Sequence, residues 1–144
     1  MSYVKIWLHC VWITKSRTNI IPHSFRSNLL KHFRENATEK NIFLDYINAH
    51  ENHIHALINL GKQQNVATVM QYLKGESSFW INSLKIFPYQ FFWQDDYFVV
   101  SIGQSQVGRV REYIKTQDEH HQRITLEDEI DQFMNKYGFE QIKD

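Results

Sequence analysis

Apolar side chains recur along this chain in two periods, and the switches between them lay out a fold. Residues 3 to 14 alternate, with Val4, Ile6, Leu8, Cys10 and Trp12 on one face, as side chains two apart lie on a strand. Trp7 and His9 fall on the other face, which predicts that this strand is covered on both sides. Pro22 opens a helix to about Lys40 whose inner face carries Phe25, Leu29 and Phe33. Strands follow at Ile42 to Ala49 and at Asn52 to Leu60. Residues 66 to 84 hold the clearest helical period, through Val66, Val69, Met70, Leu73, Ser77, Trp80, Ile81 and Leu84. Tyr97 to Ile102 reads as a fourth strand, and Val107, Val110 and Ile114 then make the stripe of a short helix. Thr125 and Asp128 start a last helix with a capping box; Ile130, Phe133, Met134 and Tyr137 line one face, and Gly138 ends it. The order β-α-β-β-α-β-α-α is the ferredoxin-like, split-βαβ plan of an α+β protein: an antiparallel sheet with helices on one face, plus two further helices. Adjacent central strands set the polar face of the third strand on the open side of that sheet.

The third strand carries candidate chemistry in His53-Ile54-His55. Both imidazoles project from one face, roughly 7 Å apart by strand rise, while Ile54, Ala56 and Ile58 point to the core. Two neutral imidazoles on a rigid element form half of a divalent-metal site; two ordinary histidines on a solvated face are the other reading. Sixty residues on, Tyr113 and Gln117 are four apart and share a helical face, with Arg109 one turn earlier on the same line. A tyrosine hydroxyl, with a pKa of about 10, is a weak nucleophile near neutrality. A metal that polarises a phosphate beside it lowers that barrier. The Gln117 side-chain oxygen is a candidate third ligand for the same ion. The alternative for Tyr113 is a partly buried aromatic with its hydroxyl in water.

These two motifs together resemble the HUH single-tyrosine transposases, the insertion-sequence-200-type family that mobilises single-stranded DNA. The triplet is His53-Ile54-His55 and the tyrosine helix is Tyr113-Ile114-Lys115-Thr116-Gln117. Three further segments agree in order and spacing: the first strand and basic turn, Leu8 to Arg17; the helix segment Val69 to Ser78; and the last strand region, Phe92 to Gly103. The likeness covers roughly residues 3 to 121. One departure is Ser16, where members often carry an aromatic between the lysine and the arginine; it touches no catalytic position.

The resemblance implies that His53, His55 and Gln117 hold a Mg²⁺ or Mn²⁺ ion and that Tyr113 attacks the scissile phosphate. A 5′-phosphotyrosine forms and a 3′-hydroxyl is freed; a 3′-hydroxyl from another end then rejoins the DNA. It also implies single-stranded DNA with hairpin ends as partner, and a homodimer in which, in much of the family, the tyrosine helix of one subunit completes the metal site of the other; docking in cis is the alternative. The stretch Ser101 to Gln106 is a candidate hinge between those two placements. The alternative readings of the chain are a non-catalytic hairpin-binding module on the same fold, or a host-adopted enzyme that processes chromosomal repeat hairpins.

Composition refines this picture. The 144 residues suit one domain, with residues 1–121 catalytic and 122–144 an acidic helical extension packed on it. The formal net charge is zero, an awkward value for a DNA-binding protein, but it is unevenly distributed. Residues 1–117 hold 13 basic and 8 acidic side chains, and residues 118–144 hold 3 and 8. A basic body thus carries an acidic tail, which permits phosphate binding. Aromatics at 15% serve core packing and base stacking alike. Cys10 is the single cysteine, so no internal disulfide forms; with no signal peptide or long apolar span, a cytoplasmic protein is expected. Lys15, Arg17, Lys74 and Arg109 are the candidate DNA-binding cations. Phe92 and Trp93 are candidates for base stacking, with core packing favoured. Glu51 is a candidate partner for a metal-bound imidazole. The adjacent His120 and His121 point apart on a helix and make a poor metal pair.

Overall fold

The computed structural model describes residues 1–116 and 124–138. Four strands run antiparallel in one sheet: β1 (Trp7–Thr14), β2 (Phe43–Ala49), β3 (His53–Asn59) and β4 (Trp93–Ile102), in the order β2-β3-β1-β4. The helices are α1 (Arg26–Glu39), α2 (Val66–Leu84), α3 (Val107–Lys115) and α4 (Leu126–Tyr137). This is the ferredoxin-like arrangement, with β1 and β3 adjacent at the centre. None of the described helices is long and apolar enough to cross a membrane.

Local chemistry sets most element ends. Val66–Leu84 begins behind Asn65, whose side chain accepts from the Thr68 N–H, and stops at Lys85 in a left-handed conformation. Thr125 caps α4 by accepting from the Asp128 N–H, and Gly138 closes it at φ 63, a backbone angle that suits glycine. Three element starts differ from the sequence pattern by more than one residue. The first strand starts at Trp7 because Trp7 pairs with Asn59 and with Ile102, the last residues of both neighbouring strands. The fourth strand begins earlier than Tyr97, at Trp93, because Thr14 of β1 pairs with Trp93 across a register shift. Pro22, in extended backbone, leads into a single 3-10 turn at His23–Phe25, so the regular helix starts only at Arg26.

Every residue of β1 is buried, as are the first six of β3, so the sheet centre is covered on both faces. One face carries Leu8, Cys10, Trp12, Ile54, Ala56 and Ile58 against Leu29 and Phe33 of α1 and Met70, Leu73 and Ile81 of α2. The other carries His9, Val11, Ile13, His53, His55 and Leu57. That second face is not open, contrary to the expectation from the plan alone. Helix α3 packs Val107, Val110 and Ile114 against Trp7 and Leu57, and α4 packs Ile130 and Phe133 against Val11 and Ile13. Polar ties fix α3 on the β2 edge. Asn48 donates from Nδ2 to the Ile114 carbonyl at 2.9 Å, and Arg111 makes a two-pronged contact with Asp45 at 2.7 and 2.9 Å. Asp45 sits where the β2–β3 register slips between Leu44 and Tyr46. The two added helices therefore stand side by side, with the histidines between them.

This packing predicts a contrast between two phenylalanines. Phe33 is fully buried and Phe79 is 76% exposed. Phe33→Ala should lose about 3–5 kcal/mol of unfolding free energy, whereas Phe79→Ala should stay within about 0.5 kcal/mol of wild type, as read by urea denaturation.

Candidate active site

The site grows from the two-residue period of β3. His53 and His55 lie opposite Ile13 and Val11 of β1, on the face covered by α3 and α4. Both rings are buried, and both present Nε2 to one carboxylate, that of Glu129 on α4. His55 Nε2 lies 2.8 Å from Glu129 Oε1, and His53 Nε2 lies 3.5 Å from Oε2. One donor atom from each of the three residues falls within 4.8 Å of the others. Two imidazole nitrogens and a carboxylate oxygen are a donor set for a divalent ion. His53, His55 and Glu129 are thus positioned to bind a metal.

Each histidine has a buried partner on its other nitrogen, the usual way of orienting a ligand ring. His53 Nδ1 meets Asn52 Oδ1 at 2.8 Å, and His55 Nδ1 meets His9 Nε2 at 3.0 Å. His9 sits edge-on to Phe133 and is held well below its usual pKa, first by burial and then by His55 and Lys136, with Glu129 opposing.

Tyr113 reaches the same carboxylate. Its hydroxyl donates to Glu129 Oε1 at 2.8 Å, and its ring lies edge-on to those of His55 and His9. Burial pushes the Tyr113 pKa well up from its ordinary value, and the Glu129 charge, the hydrogen bond to it and Tyr137 add to the shift. The phenol therefore stays protonated in this arrangement. A cavity of about 360 Å³ opens beside it, lined by Arg109, Tyr113, Glu129, Gln132, Lys136 and Tyr137 among others. Two cations and a phenol border this one cavity, a lining whose charge suits an anion.

The remaining candidates scatter. Arg109 lines that cavity. Lys15 and Arg17 occupy the turn after β1; the Lys15 ammonium lies 5.3 Å from the Phe92 ring centre, and Arg17 faces Glu127 of α4 at 3.6 Å. Lys74 donates to the Gln94 and Asp95 carbonyls, both at 2.7 Å, and so ties α2 to the start of β4. Trp93 is core, donating to Ser77 Oγ, while Phe92 stays half exposed. Glu51 pairs with His50 at 3.8 Å; Asn52 takes the place beside His53. Gln117, His120 and His121 lie outside the described residues.

Glu129 and Asn52 are among the participants not singled out from the sequence. Glu129 interrupts the apolar stripe of Leu126, Ile130, Phe133 and Tyr137, and a charge in such a stripe signals a buried partner. Asn52 directly precedes the triplet, but nothing local distinguishes it from a turn residue.

The family described as "Transposase IS200 like" matches residues 2–117. No functionally curated protein matches the chain. Among solved structures, a candidate transposase from Deinococcus radiodurans R1 superposes with a TM-score of 0.65 at 23% identity, covering 81% of this chain and 95% of that one. A REP-associated tyrosine transposase bound to a REP hairpin superposes with a TM-score of 0.62 at 13% identity, covering 86% and 73%. At those identities the likeness shows the fold.

A neutral buried His9 has a consequence for stability. In the unfolded chain its imidazole gains a proton below about pH 6.5, and in the folded chain it does not. The stability present above that pH is lost as pH falls, by up to about 1.4 kcal/mol per pH unit per proton. His9→Gln should lose less stability than wild type between pH 7.5 and pH 5.5, as measured by urea titration.

Proposed function

Since the chain belongs to the IS200-like transposase family, we propose that it is a metal-dependent single-stranded DNA endonuclease and strand transferase acting through a 5′-phosphotyrosine. The observation that carries this reading is the contact of the Tyr113 hydroxyl with Glu129, the carboxylate that also faces His53 and His55. Within one chain the Tyr113 hydroxyl and the candidate ligands meet, which supports a tyrosine helix in cis; the same helix exchanged between the subunits of a dimer would make these contacts in trans. A Mg²⁺ or Mn²⁺ ion held by His53, His55 and Glu129 would polarise the scissile phosphate and neutralise charge on it. Gln117, four residues after Tyr113 in sequence, stays a candidate for a further ligand.

The chain's own groups account for the rest of the step. Arg109, with Lys136 across the cavity, steers the phosphate to Tyr113. The Tyr113 oxygen bonds to phosphorus as the bond to the 3′-oxygen breaks. The phenol proton passes to Glu129, its hydrogen-bond acceptor, and the departing 3′-oxygen takes a proton from water. A second 3′-hydroxyl then attacks phosphorus, the strand is rejoined, and Tyr113 recovers its proton. The linkage keeps the energy of the phosphodiester, so no nucleotide cofactor is needed. Lys15 and Arg17 grip the backbone of the flanking strand. A hairpin-ended single strand is the substrate; the fold shared with a hairpin-bound relative supports that choice. A homodimer would bring two such sites to two DNA ends. Residues 1–121 form the catalytic unit and 122–144 its extension, which supplies Glu129. A non-catalytic hairpin-binding module is disfavoured by the buried cost of gathering two histidines, a tyrosine and a carboxylate without chemistry for them.

Covalent capture tests the nucleophile. With Mn²⁺ and end-labelled single-stranded hairpins, wild type should form an adduct stable on a denaturing gel. Tyr113→Phe should lose adduct and cleavage by at least about 10³-fold while retaining hairpin binding. An adduct formed by Tyr113→Phe means that another residue attacks.

Metal removal tests the ligand set. A site with open positions is not a structural cage, so EDTA should abolish cleavage and leave the melting temperature nearly unchanged. His55→Ala should also abolish cleavage, and unlike EDTA it should lower the melting temperature, because it removes the partner of the buried Glu129 carboxylate. Glu129→Ala should weaken Mn²⁺ affinity, measured by calorimetry, by about tenfold or more; unchanged affinity would remove Glu129 from the ligands.

A further inference from the structure

We propose that Asn52 is a positioning residue: it locks His53 in the tautomer able to bind a metal and ties that ring to the basic turn after β1. The inference rests on the reading of His53 as a ligand, and it follows from donor and acceptor chemistry. Asn52 is buried, 7% exposed, at the entry to β3. Its backbone carbonyl is held by the Thr14 N–H at 2.9 Å and the Thr14 hydroxyl at 3.2 Å. Its side-chain Nδ2 donates to the Arg17 carbonyl at 3.3 Å. A carbonyl only accepts, so this contact settles which end of the amide faces the turn. The amide oxygen must then face His53 Nδ1, at 2.8 Å. That oxygen also only accepts, so Nδ1 carries the proton, and in the neutral ring the lone pair falls on Nε2. Nε2 is the nitrogen turned toward Glu129.

His55 is not set in its ligand form in this way. Its Nδ1 meets a second imidazole, His9 Nε2, which can donate or accept, and its Nε2 faces a Glu129 oxygen that only accepts, so without a metal the proton is drawn to Nε2. Only one of the two histidines is set in its ligand form by a group that cannot reverse its role.

The other end of the Asn52 amide holds an unusual turn. Ser16 and Arg17 both adopt left-handed backbone, at φ 60 and φ 54, without being glycine. Such a pair persists only when its surroundings hold it. The Thr14 hydroxyl donates to the Thr18 carbonyl at 2.7 Å, the Thr18 hydroxyl donates to the Lys15 carbonyl at 3.1 Å, and Asn52 holds Arg17. One buried amide thus clamps the turn that presents Lys15 and Arg17, and orients a metal ligand. A DNA backbone seated on the turn is placed in register with the ion that acts on it.

Two variants separate the two ends of the amide. Asn52→Ala removes both contacts. Asn52→Asp keeps an acceptor for His53 and turns a carboxylate toward the Arg17 carbonyl. Three readouts apply: the ring tautomer of His53 in the metal-free protein by ¹⁵N NMR, Mn²⁺ affinity by electron paramagnetic resonance, and metal-free binding of a single-stranded DNA hairpin. Asn52→Ala should show mixed His53 tautomers, Mn²⁺ affinity weakened roughly ten- to a hundred-fold, and weaker hairpin binding. Asn52→Asp should keep the Nδ1–H tautomer and the Mn²⁺ affinity but lose hairpin binding. A folded Asn52→Ala with the wild-type tautomer and unchanged Mn²⁺ affinity overturns the proposal. If Asn52→Ala does not fold, Asn52→Asp decides, and loss of the Nδ1–H tautomer there overturns it. A wild-type chain that binds no Mn²⁺ sinks the metal-dependent function instead, and the tautomer of metal-free His53 still decides the role of Asn52.

Discussion

A carboxylate carried into a protein interior must be met by hydrogen-bond donors or by a cation, and on the histidine face Glu129 imposes that requirement. Its side chain is 2% exposed. The helix that carries it docks through Ile130 and Phe133, both nearly buried. Two such side chains contribute about 3–6 kcal/mol, the same order as the several kcal/mol that burying one ion costs. Apolar contact alone therefore does not settle whether α4 docks. The Tyr113 hydroxyl and the His55 ring, both 2.8 Å from Oε1, tip the balance. The groups needed for chemistry are also the groups that hold the last helix in place.

The sheet divides the work between its faces. The α1–α2 face is apolar, from Leu8 to Trp12 and from Ile54 to Ile58. It makes β1 and β3 a rigid base. The opposite face of the same strands is polar at His9, His53 and His55 and apolar around them. Rigidity from one side allows precise placement on the other, because a strand that cannot slip holds two imidazoles at fixed spacing. Helix α3 is fixed just as firmly through Asn48 and Asp45, so the Tyr113 ring arrives on a rigid element rather than on a loop.

Burial tunes Tyr113 as well as placing it. A tyrosine beside a carboxylate in a dry site resists ionisation, and its pKa moves up. A free tyrosinate is therefore not waiting to react. In the proposed step the proton would leave as the phosphorus bond forms, and its acceptor Glu129 already touches it. Arg109 and Lys136 line the neighbouring cavity.

Much of this molecule is legible in its local patterns. The 3.6-residue period marked Val66–Leu84 to the residue, and Thr125 and Gly138 bounded α4, because caps and stripes act within one turn of chain. The strand period put His53 and His55 on one face, since side-chain direction on a strand is local geometry. The resemblance carried by the triplet and the tyrosine helix pointed to the family before any fold was in hand. What tertiary structure decided is which distant groups meet. Glu129 reaches His55 across 74 residues of sequence, Asn52 reaches Arg17 across 35, and Lys74 turns its ammonium to two carbonyls of β4. No periodicity encodes such meetings. They follow from how whole elements pack, and from the need of each buried polar atom for a partner within about 3 Å.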